Sequence, residues 1–318
     1  MKEYDVTTAD DFGSRTDPYR DELLAHCYRM LGSVHDAEDL LQETMLRAWR
    51  AYDRFDENRA SLRTWLYRIA TNACLTALEG RGRRPLPSGI GTPDHDPEQD
   101  LVPGHEVPWL QPFPLSDPAV VLDARNSLRL ALVAAMQHLP ARQRAVLILR
   151  DVLDWSAAEV AEALETTTAA VNSALQRARA RLGAAGVYED DLGEPDDPER
   201  RAVLDRYVAA FEKGDVEALR RLLTDDVILE MPPFLSWFKG PQACGTFLTR
   251  LFARVGTDFR LVTLTANGQP AAAVYGGAAG RYRLNSLQVF TITASGVRRI
   301  TVFRDQEVLA AFGLAGEL

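Results

Sequence analysis

The polar residues of segment 167–182 have the types and the spacing of a surface that reads DNA bases. If this segment is a helix, its apolar residues fall on one side, and amide, hydroxyl and guanidinium groups fall on the other. Asn and Gln pair with adenine in the major groove, and Arg pairs with guanine or with phosphate. The residues predicted to contact DNA are Thr167, Asn172, Ser173, Gln176, Arg177 and Arg179. The alternative is an amphipathic helical hairpin with a solvated polar face.

A second stretch, residues 60–84, combines cations with flat aromatic rings. Its five arginines oppose a single acid, Glu79. Arginines that pair with phosphates, together with rings that stack on bases, are the usual means of holding single-stranded DNA. The candidate residues are Arg63, Trp65, Tyr67, Arg68, Asn72, Arg81, Arg83 and Arg84. For Trp65 and Tyr67, the alternative is that one or both rings pack inward.

A third set of polar residues forms a strip on the helix predicted after the cap sequence 33–36. Asp39, Gln42, Glu43 and Arg47 recur at three- and four-residue spacing, opposite the apolar positions of the same helix. Taken alone, a solvated surface is the simpler interpretation of this strip. A protein-binding surface is the alternative.

The segment 156–182 reads as a helix–turn–helix that would position the first set. Ser156 and Glu159 form a capping box at the start of the first helix, and Thr167 is a good N-cap for the second. The apolar stripe predicted for the second helix consists of Val171, Ala174, Leu175, Ala178 and Leu182. The turn has Glu165 and Thr166 in place of the usual Gly, which weakens the motif.

Prolines and acids divide the chain into three blocks. Nine of the 17 prolines fall between Pro85 and Pro118, which predicts an extended, semi-stiff linker, and residues 183–198 hold six acids and no base. The first two blocks have helical periodicity, whereas the third begins with two helices and continues with strands. We therefore predict a multidomain protein with two all-α domains and an α+β domain. The predicted boundaries are a flexible N-terminus at 1–16, helical domains at 17–84 and 117–182, linkers at 85–116 and 183–197, and the α+β domain at 198–318.

Composition places the chain among ordinary globular proteins with a net charge of −9. No apolar run is long enough for a membrane span, and the first residues do not have the pattern of a secretory signal, so we expect a cytoplasmic protein without a membrane partner. Cys27, Cys74 and Cys244 have no metal-ligand spacing, and we expect buried free thiols, no metal and no cofactor.

Two of the blocks resemble parts of the sigma-70 family of transcription initiation factors. "LPARQRAVLILRDVLDWSAAEVAEAL" is similar to region 4 of these factors, and "LLAHCYRMLGSVHDAEDLLQETMLRAWRAYDRFD" is similar to region 2. Two helical domains joined by a linker, with no third helical domain between them, resemble the extracytoplasmic-function (ECF) group. The resemblance implies a non-catalytic subunit that binds core RNA polymerase and promoter DNA.

The resemblance also assigns a role to each polar set. The strip formed by Asp39, Gln42, Glu43 and Arg47 would bind the β′ clamp helices of polymerase. Residues 60–84 would open the −10 element of the promoter, and Asn72 matches a position that is commonly Asn in the family. The helix–turn–helix would read the −35 element, and its domain would also touch the β flap.

The third block resembles SnoaL-like domains, a curved-sheet cone shared with ketosteroid isomerases and polyketide cyclases, on the stretch "LLTDDVILEMPPFLSWFKGPQACGTFL". In ECF factors that carry such an extension, this domain implies regulation in cis. A purely structural contact surface is the simpler interpretation of this domain. The alternative is an apolar pocket for an unknown small molecule, and the residues that could line it are Met231, Phe234, Trp237, Tyr275 and Tyr282. The acids available for isomerase chemistry are Asp226, Glu230 and Asp305, and their spacing singles out no pair.

Two other functions stay open at this point. The first is a ligand-sensing helix–turn–helix transcription regulator, which would leave the strip and the cationic stretch unexplained. The second is a sigma-like protein whose C-terminal domain is an isomerase or a cyclase.

Overall fold

A computed structural model of the chain describes residues 6–94, 96–114, 127–184, 197–278 and 280–318. These residues form two compact units. The first unit joins residues 6–83 to residues 127–184, and the second joins residues 84–114 to residues 197–318. Residues 117–126 and 185–196, which the sequence assigned to a helical domain and to the acidic linker, lie outside the described residues.

Four α-helices make up the first half of the first unit: α1 (Val6–Thr16), α2 (Arg20–Leu31), α3 (Val34–Ala51) and α4 (Leu62–Ala77). Ser33 caps α3, because its Oγ accepts a hydrogen bond from the Asp36 N–H at 3.2 Å. The expected flexible segment 1–16 is helical from residue 6 onward. Phe12 explains the difference, since it is 9% exposed and packs edge-on against Trp49 and Tyr52 with centroids 5.3 and 5.1 Å away.

The second half contains α5 (Leu130–Met136), α6 (Ala141–Leu147), α7 (Ala157–Ala163) and α8 (Thr168–Ala184), with a π-helical turn at Ile148–Val152. The predicted capping box is present: Glu159 N–H donates to Ser156 Oγ at 3.2 Å, and Ser156 N–H donates to Glu159 Oε2 at 2.7 Å. At the start of α8, the Ala170 N–H donates to Thr167 Oγ1 at 3.2 Å. These caps fix the ends of the helix–turn–helix.

The turn between α7 and α8 closes without a glycine. Glu165 adopts a left-handed backbone with φ of 50°, and its N–H donates to the Glu162 carbonyl at 3.3 Å. Thr166 N–H donates to the Ala161 carbonyl at 2.9 Å, which completes the bonding pattern of a Schellman motif. The two bonds satisfy the last carbonyls of α7, while the Cβ of Glu165 adds steric strain that glycine would avoid.

Arg144 joins the two halves of the first unit. This arginine of α6 is 4% exposed, and each of its five N–H donors has a carbonyl acceptor. The acceptors are the main-chain carbonyls of Met30, Met136, Gln137 and Leu139 and the side-chain carbonyl of Gln137. Because the carbonyls of Met30, Met136 and Gln137 lie at the C-terminal ends of α2 and α5, one guanidinium caps two helices. Burial lowers the pKa of Arg144 to about 10, so the group stays charged at neutral pH.

The second unit is built on a six-stranded sheet with the order β2-β1-β6-β5-β4-β3. The strands are β1 (Leu223–Glu230), β2 (Trp237–Lys239), β3 (Phe259–Ala266), β4 (Gln269–Ala278), β5 (Arg281–Thr293) and β6 (Gly296–Phe303). The helices are α9 (Pro198–Glu212), α10 (Val216–Leu222), α11 (Pro241–Val255) and α12 (Gln306–Ala310). The β1–β6 pair is parallel, and the other described pairs are antiparallel. This is the predicted α+β domain.

Helices α9 to α11 cover one face of the sheet, here called the helix side. Tyr207 of α9 and Phe247 of α11 share a buried cluster with Leu229, Val274 and Phe290 of the strands. Since successive residues of a strand point to opposite faces, the intervening residues of these strands point to the other face, here called the outer side. None of the helices in the described part of the chain combines the length and the apolar character that a membrane crossing requires.

The proline-rich segment 84–114, here called the strap, belongs to the second unit. The sequence predicted a linker at 85–116, whereas these residues follow the domain surface through main-chain hydrogen bonds. Leu235 N–H donates to the Val102 carbonyl at 2.7 Å, Gly104 N–H to the Pro233 carbonyl at 2.8 Å, and Asn267 N–H to the Phe113 carbonyl at 2.9 Å. Such bonds hold the strap, whose regular secondary structure is limited to a short 3-10 helix at Pro87–Gly89.

A buried ion pair also holds the strap against the outer side. Glu230 is 0% exposed, and its Oε1 accepts hydrogen bonds from Arg299 at 2.6 Å and from Thr301 at 3.1 Å. Its Oε2 accepts the Ser88 N–H at 3.1 Å, and Arg299 also donates to the Ser88 hydroxyl at 3.0 Å. The carboxylate and the strap therefore depend on the same network.

We predict opposite effects for two glycine substitutions in the helix–turn–helix. Glu165→Gly should raise the free energy of unfolding by about 0.5–1 kcal/mol, because glycine adopts the left-handed conformation without strain. Glu162→Gly should lower it by about 1 kcal/mol, because this residue lies within α7. Each change removes a carboxylate 3.7 Å from Arg68, so ion-pair loss is matched. Thermal unfolding of the two variants measures the difference, and equal effects would contradict the strain.

Arg144→Lys should lower the stability of the first unit by about 2–5 kcal/mol. Lysine has three donors on one nitrogen and cannot reach the carbonyls of both helix ends, so buried acceptors are left unsatisfied. Arg142→Lys on the same helix is the control, since Arg142 is exposed and should tolerate the change within about 0.5 kcal/mol. Urea unfolding followed by helix circular dichroism tests this. Equal midpoints for the two variants would show that Arg144 does not join the halves.

Candidate functional site

Helix α8 presents the predicted DNA-reading side chains to solvent. Its buried residues are Val171, Ala174, Leu175, Ala178 and Leu182. The exposed residues include Thr167, Asn172, Ser173, Gln176, Arg177 and Arg179. The amides of Asn172 and Gln176 make no side-chain hydrogen bond within the described residues, so their donors and acceptors are available to a ligand.

Two arginines of α8 have partners on the same surface. Arg179 forms a bidentate pair with Asp151, with Nη2–Oδ1 at 2.7 Å and Nε–Oδ2 at 3.0 Å. Arg177 donates to the Ser173 hydroxyl at 2.6 Å. The side chains of Arg179 and Asp151 are 59% and 26% exposed, so water screens the pair and a phosphate could replace the carboxylate.

Helix α4 distributes the second predicted set over two environments. Asn72 is exposed, and Trp65 is half-buried with its ring 4.9 Å from that of Phe55. Tyr67 differs from the prediction because it is 1% exposed. Its ring lies between His26 and Trp155, with centroid distances of 5.1 and 6.2 Å, and cannot stack on a base in this arrangement. The alternative of inward packing thus applies to Tyr67.

The residues around Tyr67 form a buried polar cluster. His26 donates to or accepts from Thr71 Oγ1 at 2.9 Å, while the guanidinium of Arg63 lies 4.9 Å from the Tyr67 centroid. Burial, and to a lesser extent the nearby Arg29, lowers the pKa of His26 to about 3. Burial likewise raises the pKa of the Tyr67 hydroxyl. Both groups are therefore neutral at physiological pH, as expected for buried groups whose charged forms are poorly solvated.

The arginines of residues 60–84 contact other groups of the protein. Arg63 pairs with Glu22 at 2.7 Å, and Arg81 pairs with Asp36 at 3.1 Å. Arg83 meets Nδ1 of His138 at 2.9 Å, and burial together with this guanidinium lowers the pKa of His138. Arg84 belongs to the strap, where it donates to the Trp109 carbonyl at 3.2 Å. Arg84 is thus the one member of the predicted −10 set that belongs to the second unit.

Arg68 connects the cationic stretch with the helix–turn–helix. Its guanidinium nitrogens lie 3.7 Å from Glu162 and 3.7 Å from Glu165. Both carboxylates are more than 70% exposed, so the pairs are weak and open to exchange with other anions.

The strip of α3 lies at the surface around an apolar residue that the sequence reading missed. Asp39, Gln42 and Arg47 are exposed, and Glu43 is half-buried and pairs with Arg47 at 2.7 Å. Leu46, which follows Gln42 and Glu43 at helical spacing, is 43% exposed. The sequence feature that could have identified Leu46 is an apolar residue that lies outside the buried stripe of α3. A leucine rimmed by polar groups is typical of a protein-binding surface.

The five residues predicted to line a pocket in the cone do not come together. Met231 belongs to the core on the helix side, and Phe234 packs against that core. In the strand register, Trp237 lies opposite Glu230 and Tyr275 lies opposite Arg260, so both side chains point to the outer side. Tyr282 contacts Arg260 on the outer side and donates to Asp258 at 2.8 Å. The prediction of one common pocket was wrong, because strand alternation splits the set between two faces.

The candidate acids of the cone are engaged in structural contacts. Glu230 holds Arg299 and the strap, Asp226 pairs with Arg298 at 3.0 Å, and Asp305 caps α12 by accepting the Glu307 N–H at 3.0 Å. Asp225 and Asp226 lie in β1. Within the described ranges, no group of three or more His, Cys, Asp or Glu side chains is placed to hold a metal. The three cysteines are buried and free.

Comparison with known proteins relates all three blocks to described families. The model of Sigma-70 region 2 matches residues 17–84, that of Sigma-70 region 4 matches residues 129–182, and that of a SnoaL-like domain matches residues 204–305. The ECF RNA polymerase sigma factor SigG of Mycobacterium tuberculosis is 52% identical over 315 residues, which cover 97% of this chain and 85% of SigG. SigW of Bacillus subtilis is 33% identical over 175 residues, which cover 54% of this chain and 87% of SigW.

A solved structure agrees with the fold. The crystal structure of the ECF sigma factor SigJ of Mycobacterium tuberculosis aligns with a TM-score of 0.67 and 23% identity, and the alignment covers 95% of this chain and 99% of SigJ. ECF sigma factors are non-catalytic subunits that direct RNA polymerase to promoters. Because SigG is 52% identical over 97% of this chain, the chain belongs to the ECF sigma factors and carries a SnoaL-like domain.

Proposed function

We propose that this sigma factor uses three separate surfaces of its first unit. The strip of α3 binds the β′ clamp helices of core polymerase, α4 and the residues after it hold the melted −10 element, and α8 reads the −35 element. The domain that carries α8 also touches the β flap. The observation that carries the proposal is the division of α8, in which an apolar stripe is buried while amide, hydroxyl and guanidinium groups are exposed.

The chemistry of the α3 strip supports a protein partner. Leu46 supplies exposed apolar area, and burying a leucine in an interface contributes roughly 1.5–3 kcal/mol. Asp39, Gln42 and the Glu43–Arg47 pair supply a polar rim around it. A strip of this kind gives affinity through one apolar contact and orientation through its polar contacts.

The ion pairs of the first unit support a role in DNA binding that is suppressed when DNA is absent. Arg68 and Arg179 each lie against carboxylates of the same unit, and those carboxylates occupy positions where DNA phosphates would bind. Single exposed ion pairs contribute little, so an array of phosphates on polymerase-bound promoter DNA displaces them readily. Because Glu162 and Glu165 belong to the helix–turn–helix, Arg68 is released either when phosphates displace these weak pairs or when the two halves of the unit separate.

The strap supports regulation in cis. Residues 84–114 connect α4 covalently to the half that contains α8, and they are bonded along the SnoaL-like domain. A domain that holds this connection limits how far the halves can separate. We therefore propose that the C-terminal domain restrains the sigma regions until polymerase is bound. Since a sigma factor works where polymerase works, we also propose a cytoplasmic location.

Transcription from purified core polymerase tests the proposed function. The full chain should make core polymerase selective for its promoter, and Leu46→Asp should weaken core binding roughly tenfold to a hundredfold, because the apolar contact is lost. Val262→Asp is the matched control, since Val262 of the second unit is 40% exposed against 43% for Leu46. Equal losses in the two variants would contradict the α3 surface.

The same assay tests the cis-regulator with a chain that ends at residue 184. SigW, which matches only the first half of this chain, indicates that the sigma regions suffice for a protein of this type. The shortened chain should change the amount of transcript and keep the promoter preference. A different preferred promoter would overturn the regulatory role.

Gln176→Ala tests the reading of the −35 element. If its amide contacts one base pair, the variant should lose roughly 1–3 kcal/mol of discrimination at that position and little elsewhere. The measurement is binding of the polymerase complex to promoters substituted at each −35 position, with Gln306→Ala as the control, since Gln306 of α12 is exposed. A uniform loss over all sequences would assign Gln176 to the DNA backbone.

A further inference from the structure

A cavity of about 270 Å³ lies between the strap and the sheet of the second unit. The strap contributes His105, Pro108 and Trp109, and the domain contributes Pro232, Phe303 and Arg304, among other residues. This volume is just below the range of roughly 300–1,000 Å³ of most small-molecule sites, so one small ligand fits. None of the five residues first predicted to line a pocket borders this cavity.

The lining of the cavity combines polar residues with an apolar and aromatic part. Trp109 is 9% exposed, and its orientation is fixed because Nε1 donates to the Gly104 carbonyl at 2.8 Å. Gly104 in turn donates to the Pro233 carbonyl at 2.8 Å, so the ring is held by a strap segment that is bonded to the domain. Phe303 and Val308 are 4% and 2% exposed and form the wall on the domain side. Rigid aromatic and aliphatic walls favour a flat, apolar ligand body.

The rim of the cavity carries positive charge. Arg304 is exposed and makes no hydrogen bond or ion pair to any described residue, and the same holds for the His105 side chain. Arg84 also lines the cavity and is fixed by its bond to the Trp109 carbonyl at 3.2 Å. Asp305 is the acid at the rim, and its Oδ1 already accepts the Glu307 N–H at 3.0 Å. An available guanidinium beside an apolar cavity selects a carboxylate, which it binds through two parallel hydrogen bonds.

We propose that this cavity binds a small planar aromatic carboxylate. The ring lies against Trp109 and Phe303, and the carboxylate pairs with Arg304. Because one wall belongs to the strap and the other to the domain, the ligand bridges them and favours the docked strap over an undocked one. The binding does not depend on the proposed role in transcription.

Titration of the full chain with indole-3-carboxylate, followed by isothermal calorimetry, tests the proposal. Binding should saturate at one molecule per chain, and the neutral indole-3-carboxamide should bind roughly tenfold to a hundredfold more weakly, because the charge-assisted bonds are lost. Arg304→Gln should produce a similar loss for the carboxylate. Arg283→Gln is the control, since Arg283 is also exposed and pairs with Glu317 away from the cavity. Bound carboxylate should also slow amide hydrogen exchange at Gly104 and Leu110 of the strap.

Three results would overturn the proposal. The first is the absence of saturable binding of the carboxylate. The second is equal affinity for the carboxylate and the amide, which would remove the role of the rim charge. The third is an Arg304→Gln variant that binds as the Arg283→Gln control does, because the ligand would then lie elsewhere.

Discussion

The first unit depends on a buried cation that neutral carbonyl groups stabilise. Arg144 has no carboxylate among its acceptors, and its five donors match five carbonyl oxygens. Three of these oxygens, those of Met30, Met136 and Gln137, lie at the ends of α2 and α5, where the helix dipole is negative. The guanidinium therefore hydrogen-bonds carbonyl groups of both halves at once. Pulling the halves apart exposes those carbonyls and the cation to water, so separation is possible but requires compensating contacts.

A polymerase complex would supply such compensating contacts, and the ion pairs at the surface of the first unit are weak enough to be replaced. The contacts that separation breaks include Arg68 with Glu162 and Glu165, each at 3.7 Å and largely exposed. Their loss costs little, and each freed arginine gains phosphate contacts. We expect a chain with a net charge of −9, whose arginines pair with carboxylates of the same unit, to have low affinity for random DNA. Promoter binding would then depend on assembly with polymerase, which presents the DNA at high local concentration.

The features that follow from local periodicity were predictable from the sequence, and those that follow from distant packing were not. The two faces of α8 and the Ser156–Glu159 capping box depend on residues within four positions of each other, so the pattern carries them. The strap was read as a free linker because its partners, such as Glu230 for Ser88, lie more than a hundred positions away. Tyr67 fits both a base-stacking ring and a core residue, and only packing against Trp155 distinguishes them. The prediction of one pocket in the SnoaL-like domain was wrong because residue type and proximity in sequence do not determine the face of the sheet to which a strand residue points.

The network around Glu230 explains how the SnoaL-like domain holds the strap and why its buried carboxylate is not available as a catalytic base. A general base needs a carboxylate that can receive a proton from a substrate. Both oxygens of Glu230 are occupied, one by Arg299 and Thr301 and the other by the Ser88 N–H of the strap. The same carboxylate therefore binds Arg299 and the strap, so its oxygens are not directed at a substrate. This acid fixes the strap, which lies between the sigma regions in the sequence. The interior on the helix side is filled by side chains such as Phe290 and Met231, so the face left for binding is the one that the strap covers.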